Sequence, residues 1–143
     1  MSRRLYWKLA GDCRTNPHTG IAFMILLAAA LAICPPSGVR SDCVVDGDTV
    51  WIGREKVRVA EIDAPELSRP KCEAERLLAI RARDRLLVLL NSEPYRIERT
   101  GKDRYGRTLG IISNSRGSIG RQLVAEGLAR KWTGRREPWC PTR

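Results

Sequence analysis

Apolar and polar positions alternate in short runs along most of the chain, and a single longer run changes the period. Residues 43–52 read as two short strands around Asp46-Gly47-Asp48-Thr49, because Asp-Gly between apolar residues marks a tight turn. Val57 to Ile62 alternates, with Arg58, Ala60 and Ile62 on one face and Val57, Val59 and Glu61 on the other. Proline has no N–H for a ladder, so Pro65 ends this strand and leaves Asp63 and Glu66 on the connection out of the sheet. From Cys72 to about Leu90, Ala74, Leu78, Ala82, Leu86 and Leu89 recur at helical spacing, with Arg76, Arg81, Arg83 and Arg85 between them as a solvated face. Asn91-Ser92-Glu93-Pro94 stops this helix, and Tyr95–Glu98 reads as a strand. A polar connection at 100–107 leads into a strand at Thr108–Ser113 and a turn at 114–117. Ser118 then caps a short helix to Glu126, with Gly127 as its stop, and Leu128–Trp132 returns as a last strand. Residues 133–143 are expected to be irregular. The pattern alone predicts a small α+β or β-barrel domain: five short strands, a long helix after the third and a short second helix.

The N-terminus adds a different element. A basic opening, Ser2 to Lys8, precedes an unbroken apolar run from Ile21 to Ile33, shorter than the roughly 20 residues a membrane span needs. It suits a signal peptide over 1–32 with an Ala30-Leu31-Ala32 cleavage site, followed by a linker at 33–42. The alternative is an uncleaved anchor through residues 21–34. The expectation is therefore an exported protein, periplasmic or secreted, whose N-terminal segment engages export machinery or a membrane.

Charge and cysteines narrow the classes further. Of 26 Lys and Arg and 16 Asp and Glu, four basic residues and one acidic residue precede position 33, so 22 face 15 in the body. Such a surface favours a polyanion such as nucleic acid. Cys34, Cys43, Cys72 and Cys140 form an even set in a small exported body, which points to two disulfides. Three pairings are open; Cys34 with Cys43 and Cys72 with Cys140 is favoured. The only histidine, His18, precedes the body, which excludes Ser-His-Asp and Cys-His catalysis and the H-E-x-x-H metalloproteases.

The remaining chemistry rests on carboxylates and arginines. If the two strand segments pair, Asp48, Asp63 and Glu66 converge with Arg58 behind them. Clustered acids repel unless a cation neutralises them, and oxygen-only ligation suits Ca²⁺ or, with more waters, Mg²⁺. Arg58 and Arg107 offer fork-shaped donors to phosphate oxygens, and Glu66 is placed to act as a general base on water.

D-G-D-T, then V-R-V-A-E-I-D-A-P-E and D-R-Y-G-R, in that order from Cys43 to Trp132, resemble the thermonuclease (staphylococcal nuclease-like) family. The resemblance implies a five-stranded OB-fold barrel over 43–132 and a calcium-dependent hydrolysis of DNA and RNA by a monomer. It implies Asp48 and Asp63 as Ca²⁺ ligands, Ala64 as a ligand through its backbone carbonyl, and Asp46 as an outer carboxylate acting through water. Arg58, Glu66 and Arg107 match the catalytic trio. Arg104 and Tyr105 match nucleotide contacts, and Trp132 stands in for a tyrosine pair absent near 133–135. The other class to weigh is a non-catalytic OB-type nucleic-acid-binding module, which the complete set of Arg58, Glu66, Arg107 and the two aspartates argues against.

Overall fold

The computed structural model describes residues 30–141. Residues 1–29, which hold most of the expected signal peptide or anchor, lie outside the described residues. Five strands of four residues or more make the main sheet: β2 (Cys43–Asp46), β3 (Thr49–Ile52), β4 (Glu55–Val59), β6 (Arg96–Lys102) and β7 (Thr108–Asn114). Two-residue strands β1 (Ala32–Ile33) and β8 (Gly117–Ser118) flank them, while β5 (Ile62–Asp63) pairs antiparallel with β9 (Arg130–Lys131). The spatial order is β1-β2-β3-β4-β7-β6, and β4 runs parallel to β7 while the other principal pairs are antiparallel. This is an α+β, OB-like fold. Among the described residues the sheet does not close into a hydrogen-bonded barrel: β1 takes the outer edge of β2, and the end strands β1 and β6 do not pair.

That edge straddles the expected cleavage point, with Leu31 and Ala32 from the segment expected as signal peptide and Ile33 from the expected linker. Ala32 and Ile33 pair with Cys43 and Val44, and a disulfide joins Cys34 to Cys43. The Asn91 side chain also accepts from the Leu31 N–H and donates to the Leu31 carbonyl, both at 2.9 Å. Among the described residues, Leu31 is thus already tied into the fold. No helix among the described residues is long and apolar enough to cross a membrane.

The long helix α1 (Glu73–Ser92) buries Ala82, Leu86, Leu89 and Leu90 in one cluster with Val44, Val50, Val57, Val59 and Ile112. Ala74, expected on this face, is exposed, because the buried stripe starts one turn later with Glu75 and Ala79. Each fully buried leucine or isoleucine contributes about 1.5–3 kcal/mol, so this interface dominates the fold. The helix arginines are surface partners as expected: Arg76 of Glu73, Arg83 of Asp84, Arg85 of Glu126. The short helix α2 (Ile119–Ala125) is capped by Ser118, whose hydroxyl accepts from the Arg121 N–H, and Gly127 ends it at a φ of 71°.

Two boundaries differ from the alternating pattern. The strand read as 57–62 breaks after Val59, where Ala60 and Glu61 turn the chain; Val57 and Val59 face the core while Ile62 enters it separately on β5. Strand β6 runs on to Lys102, through a bulge between Arg99 and Gly101, into the segment read as a connection. As an edge strand it turns only Ile97 toward the core, too little to print alternation on the sequence.

Candidate active site

The Asp46–Thr49 turn sits where three elements touch. A Cβ on Gly47 would lie 2.7 Å from the Ala82 Cβ and 2.8 Å from the Ala64 Cβ, so only glycine admits α1 and the 63–66 connection this closely. Asp46 Oδ1 accepts from the Asp48 N–H at 3.1 Å, an Asx-type turn that aims Asp48 inward. Burial, together with the charge of Asp48, pushes the Asp46 carboxyl up to about 7. Asp48 is buried; its Oδ1 accepts from the Thr49 hydroxyl at 2.8 Å and its Oδ2 from the Ala64 N–H at 3.4 Å.

Arg58 projects from β4 into the same space. Nη1 donates to the carbonyls of Val59 and Ile62, both at 3.1 Å, and thereby closes the Ala60–Glu61 turn. Nη2 lies 3.2 Å from Asp48 and 3.8 Å from Asp63, so one nitrogen stands between two buried carboxylates. Burial holds the Asp63 carboxyl above the ordinary range, with Asp48 adding to the rise and Arg136 and Arg58 opposing it.

Glu66 follows Pro65 and is partly exposed. Its backbone N–H donates to Glu75 Oε1 at 3.2 Å, and the other Glu75 oxygen accepts from the Lys71 N–H at 2.7 Å. Buried Glu75, in the first turn of α1, thus clamps the loop that carries Glu66. Burial works to raise the Glu66 carboxyl, but hydrogen bonds from Ser68 and Arg136 outweigh it and keep the carboxyl low, hence ionised at neutral pH.

Asp103 organises the loop between β6 and β7. Its Oδ1 accepts from the backbone of Tyr105 at 2.9 Å and of Arg107 at 3.0 Å, and its Oδ2 accepts from Arg107 Nε at 2.7 Å. Gly106, at a φ of 76°, supplies the left-handed step. Arg104 donates to the Tyr105 hydroxyl at 2.7 Å and lies over its ring, as does Arg107 on the other side of the sequence. Tyr105 is itself 68% exposed.

The tail from Trp132 to Pro141 is irregular, as expected, yet it is packed across the site. Trp132 rests against the Arg58 guanidinium at 5.4 Å. Arg136 donates from Nε to Asp63 and from Nη1 to Glu66, both at 3.0 Å. The Trp139 indole donates to the second Asp63 oxygen at 3.3 Å, and Arg130 lies 3.8 Å over its ring. A disulfide from Cys140 to Cys72, at the start of α1, anchors the tail and completes the favoured pairing.

One groove of about 1150 Å³ is lined by Arg58, Glu66, Arg104, Tyr105, Arg107 and Trp132 together with Lys56, Asp103 and Arg136. Asp48 and Asp63 lie behind Arg58, and Ala64 is buried beside them. The donor chemistry is all oxygen and suits a hard divalent cation. The carboxylates nevertheless stand apart around Arg58. Among the described residues the acid and cysteine group whose ligand atoms all lie within 4.8 Å of one another is Cys72, Glu75 and Cys140, and its sulfurs are spent on each other in the disulfide. Reasoning from sequence missed Asp103, Glu75, Arg136 and Trp139. The first has a local signal, an Asp opening a glycine turn; the last two become visible only by following the Cys72–Cys140 pairing to its spatial consequence.

The chain is 33% identical over 115 residues to an uncharacterized endonuclease of Haemophilus influenzae, covering 74% of this chain and 60% of that protein. It is 36% identical over 119 residues to the succinoglycan biosynthesis protein ExoI of Rhizobium meliloti, covering 76% and 59%. Micrococcal nuclease of Shigella flexneri is 38% identical over 73 residues, covering 48% and 38%. The chain thus spans three fifths or less of the length of these relatives. The description "Staphylococcal nuclease homologue" fits residues 56–140, a stretch that runs from β4 through the groove to the anchored tail. By that match, which takes in more than half of its length, the chain belongs to the staphylococcal nuclease homologue family.

Proposed function

We propose that the protein is an exported, calcium-dependent nuclease that hydrolyses phosphodiester bonds of DNA and RNA with little sequence preference. The observation that carries the reading is the meeting of Arg58, Glu66 and Arg107, from three separate elements, on one groove beside two buried aspartates. A phosphodiester resists attack because its own charge repels the nucleophile and grows in the transition state. The groove answers both difficulties. Glu66, kept ionised by its donors, takes a proton from a water that attacks phosphorus, and the leaving oxygen departs opposite. Arg107 presents its guanidinium to the phosphate oxygens from an Asp103-braced loop, while Arg58, its terminal nitrogens held by two carbonyls and two aspartates, lends its charge from the floor. Arg104 and Tyr105 bind the nucleotide, and Trp132 gives it an apolar wall while packing on Arg58. Ca²⁺ would be held by Asp48, Asp63 and the Ala64 carbonyl, with Asp46 through water, and would supply further positive charge to the phosphate.

Two disulfides support an oxidising compartment, periplasmic or secreted, and hence export of a monomer through its N-terminal segment. The test is release of acid-soluble nucleotides from single-stranded DNA and RNA by the oxidised full-length chain, with Ca²⁺ and with a chelator. Hydrolysis should require Ca²⁺ and drop about 10²–10⁴-fold in Glu66→Gln. A folded protein that binds DNA without cutting it would instead make it an OB-type binding module.

A further inference from the structure

The tail touches each of the three residues around which the chemistry turns: Trp132 on Arg58, Trp139 and Arg136 on Asp63, Arg136 on Glu66. We propose that Arg136 is a positioning residue, which sets the separation of Glu66 from Asp63, and that the Cys72–Cys140 disulfide holds it in place. The inference rests on the reading of Glu66 as the base. The guanidinium is rigid and planar, so two of its nitrogens, each 3.0 Å from a different carboxylate, fix both acids against one frame. Locally, Ser68 holds one Glu66 oxygen through its N–H and hydroxyl, but neither bond relates Glu66 to Asp63.

The circuit closes through covalent and buried links. Glu66 hangs by its backbone from Glu75 in the first turn of α1. Cys72, at the N-terminal boundary of the same helix, is bonded to Cys140, and the intervening tail is held by Arg130 on Trp139 and by the 2.9 Å bond from Arg130 Nη1 to the Pro138 carbonyl. Arg136 then returns to Glu66. Loop and tail therefore share one anchor, and the base is held from both sides.

The test compares wild type, Arg136→Ala, Arg136→Lys and a Cys72→Ser/Cys140→Ser double variant as oxidised full-length chains, at saturating Ca²⁺ and DNA. Circular dichroism checks the fold, thiol counting the remaining disulfides, and Glu66→Gln is run beside them. Arg136→Ala should lower kcat at least tenfold with KM changed less than threefold. Arg136→Lys, with charge but no fork, should recover only part of the loss, and the double variant should move kcat in the same direction. If Arg136→Ala keeps or raises kcat while calorimetry shows tighter Ca²⁺ binding, the arginine competes with the cation and the positioning role is overturned. Full recovery by lysine would overturn the fork argument, and a change confined to KM would make Arg136 a substrate contact instead. The reading beneath it fails separately: hydrolysis by Glu66→Gln at the wild-type rate, or none by wild type, removes the base and the inference with it.

Discussion

Arg58 spends both terminal nitrogens inside the protein, on two carbonyls and two buried carboxylates, before any phosphate arrives. Removing it leaves Asp48 and Asp63 facing each other in a buried space with their shared cation gone. Loss of one partner of a buried charge pair costs about 3–5 kcal/mol. Arg107 differs, because Asp103 keeps two backbone donors when the guanidinium is cut away, so Arg107→Ala should cost only about 1 kcal/mol. Urea denaturation of Arg58→Ala and Arg107→Ala in a chelator measures the difference, and equal losses would show that Arg58 is no keystone of the aspartate pair. Both variants should lose hydrolysis, so activity alone would misread Arg58 as a purely chemical group. The same residue shows why part of the site was readable in advance. Asp-Gly and the strand-ending proline are local signals that fix where Asp48, Asp63 and Glu66 emerge, and Arg58 follows from alternation on the strand between them.

Elements became legible to the extent that one face of each is buried. Helix α1 and strand β4 have such a face, whereas β6 lies at the sheet edge with six of its seven residues exposed, and its polar second half gave no pattern. Beyond its backbone ladder to β7, β6 is tied to its neighbours by charge: Glu55, at the start of β4, accepts from Arg99 on β6 at 2.6 Å and from Thr108 on β7 at 2.8 Å. The Arg99 hydrogen bond first, and the Thr108 hydroxyl next, pull the Glu55 carboxyl down from 4.5 to about 2. A folded-state value below the unfolded one means that the stabilisation is complete above about pH 4.5 and is lost as pH falls toward about 2. Glu55→Gln should therefore show a smaller fall in melting temperature over that interval than wild type, and parallel curves for the two would remove Glu55 from the account of acid sensitivity. The tail was opaque for another reason. Arg136 meets Asp63 across 73 residues of sequence, and no period or turn signal encodes a contact that a disulfide brings about.

At the scale of the molecule, a formal charge of +10 is distributed unevenly in its availability. Arg76, Arg83, Arg85, Arg99 and Arg116 are tied to surface acids, so they add little to the field that a polyanion meets. Lys56 and Arg104 line the groove with no carboxylate partner among these ion pairs, beside Arg107 and the exposed ring of Tyr105. Binding of a single strand should accordingly be carried by few cations and depend only modestly on salt. Each phosphate neutralised contributes about −0.7 to the slope of log Kobs against log salt, so engagement by Lys56, Arg104 and Arg107 gives a slope of about −2. Fluorescence anisotropy of a labelled oligothymidine with Glu66→Gln in a chelator, titrated over salt, reads this without cleavage. Adding Arg104→Ala should weaken binding and flatten the slope by about 0.7, whereas adding Arg116→Ala, already paired with Glu93 outside the groove, should change neither. The reverse result would move the nucleic-acid path off the groove and onto the surface around Arg116 and Glu93, where the phosphate would not meet Glu66.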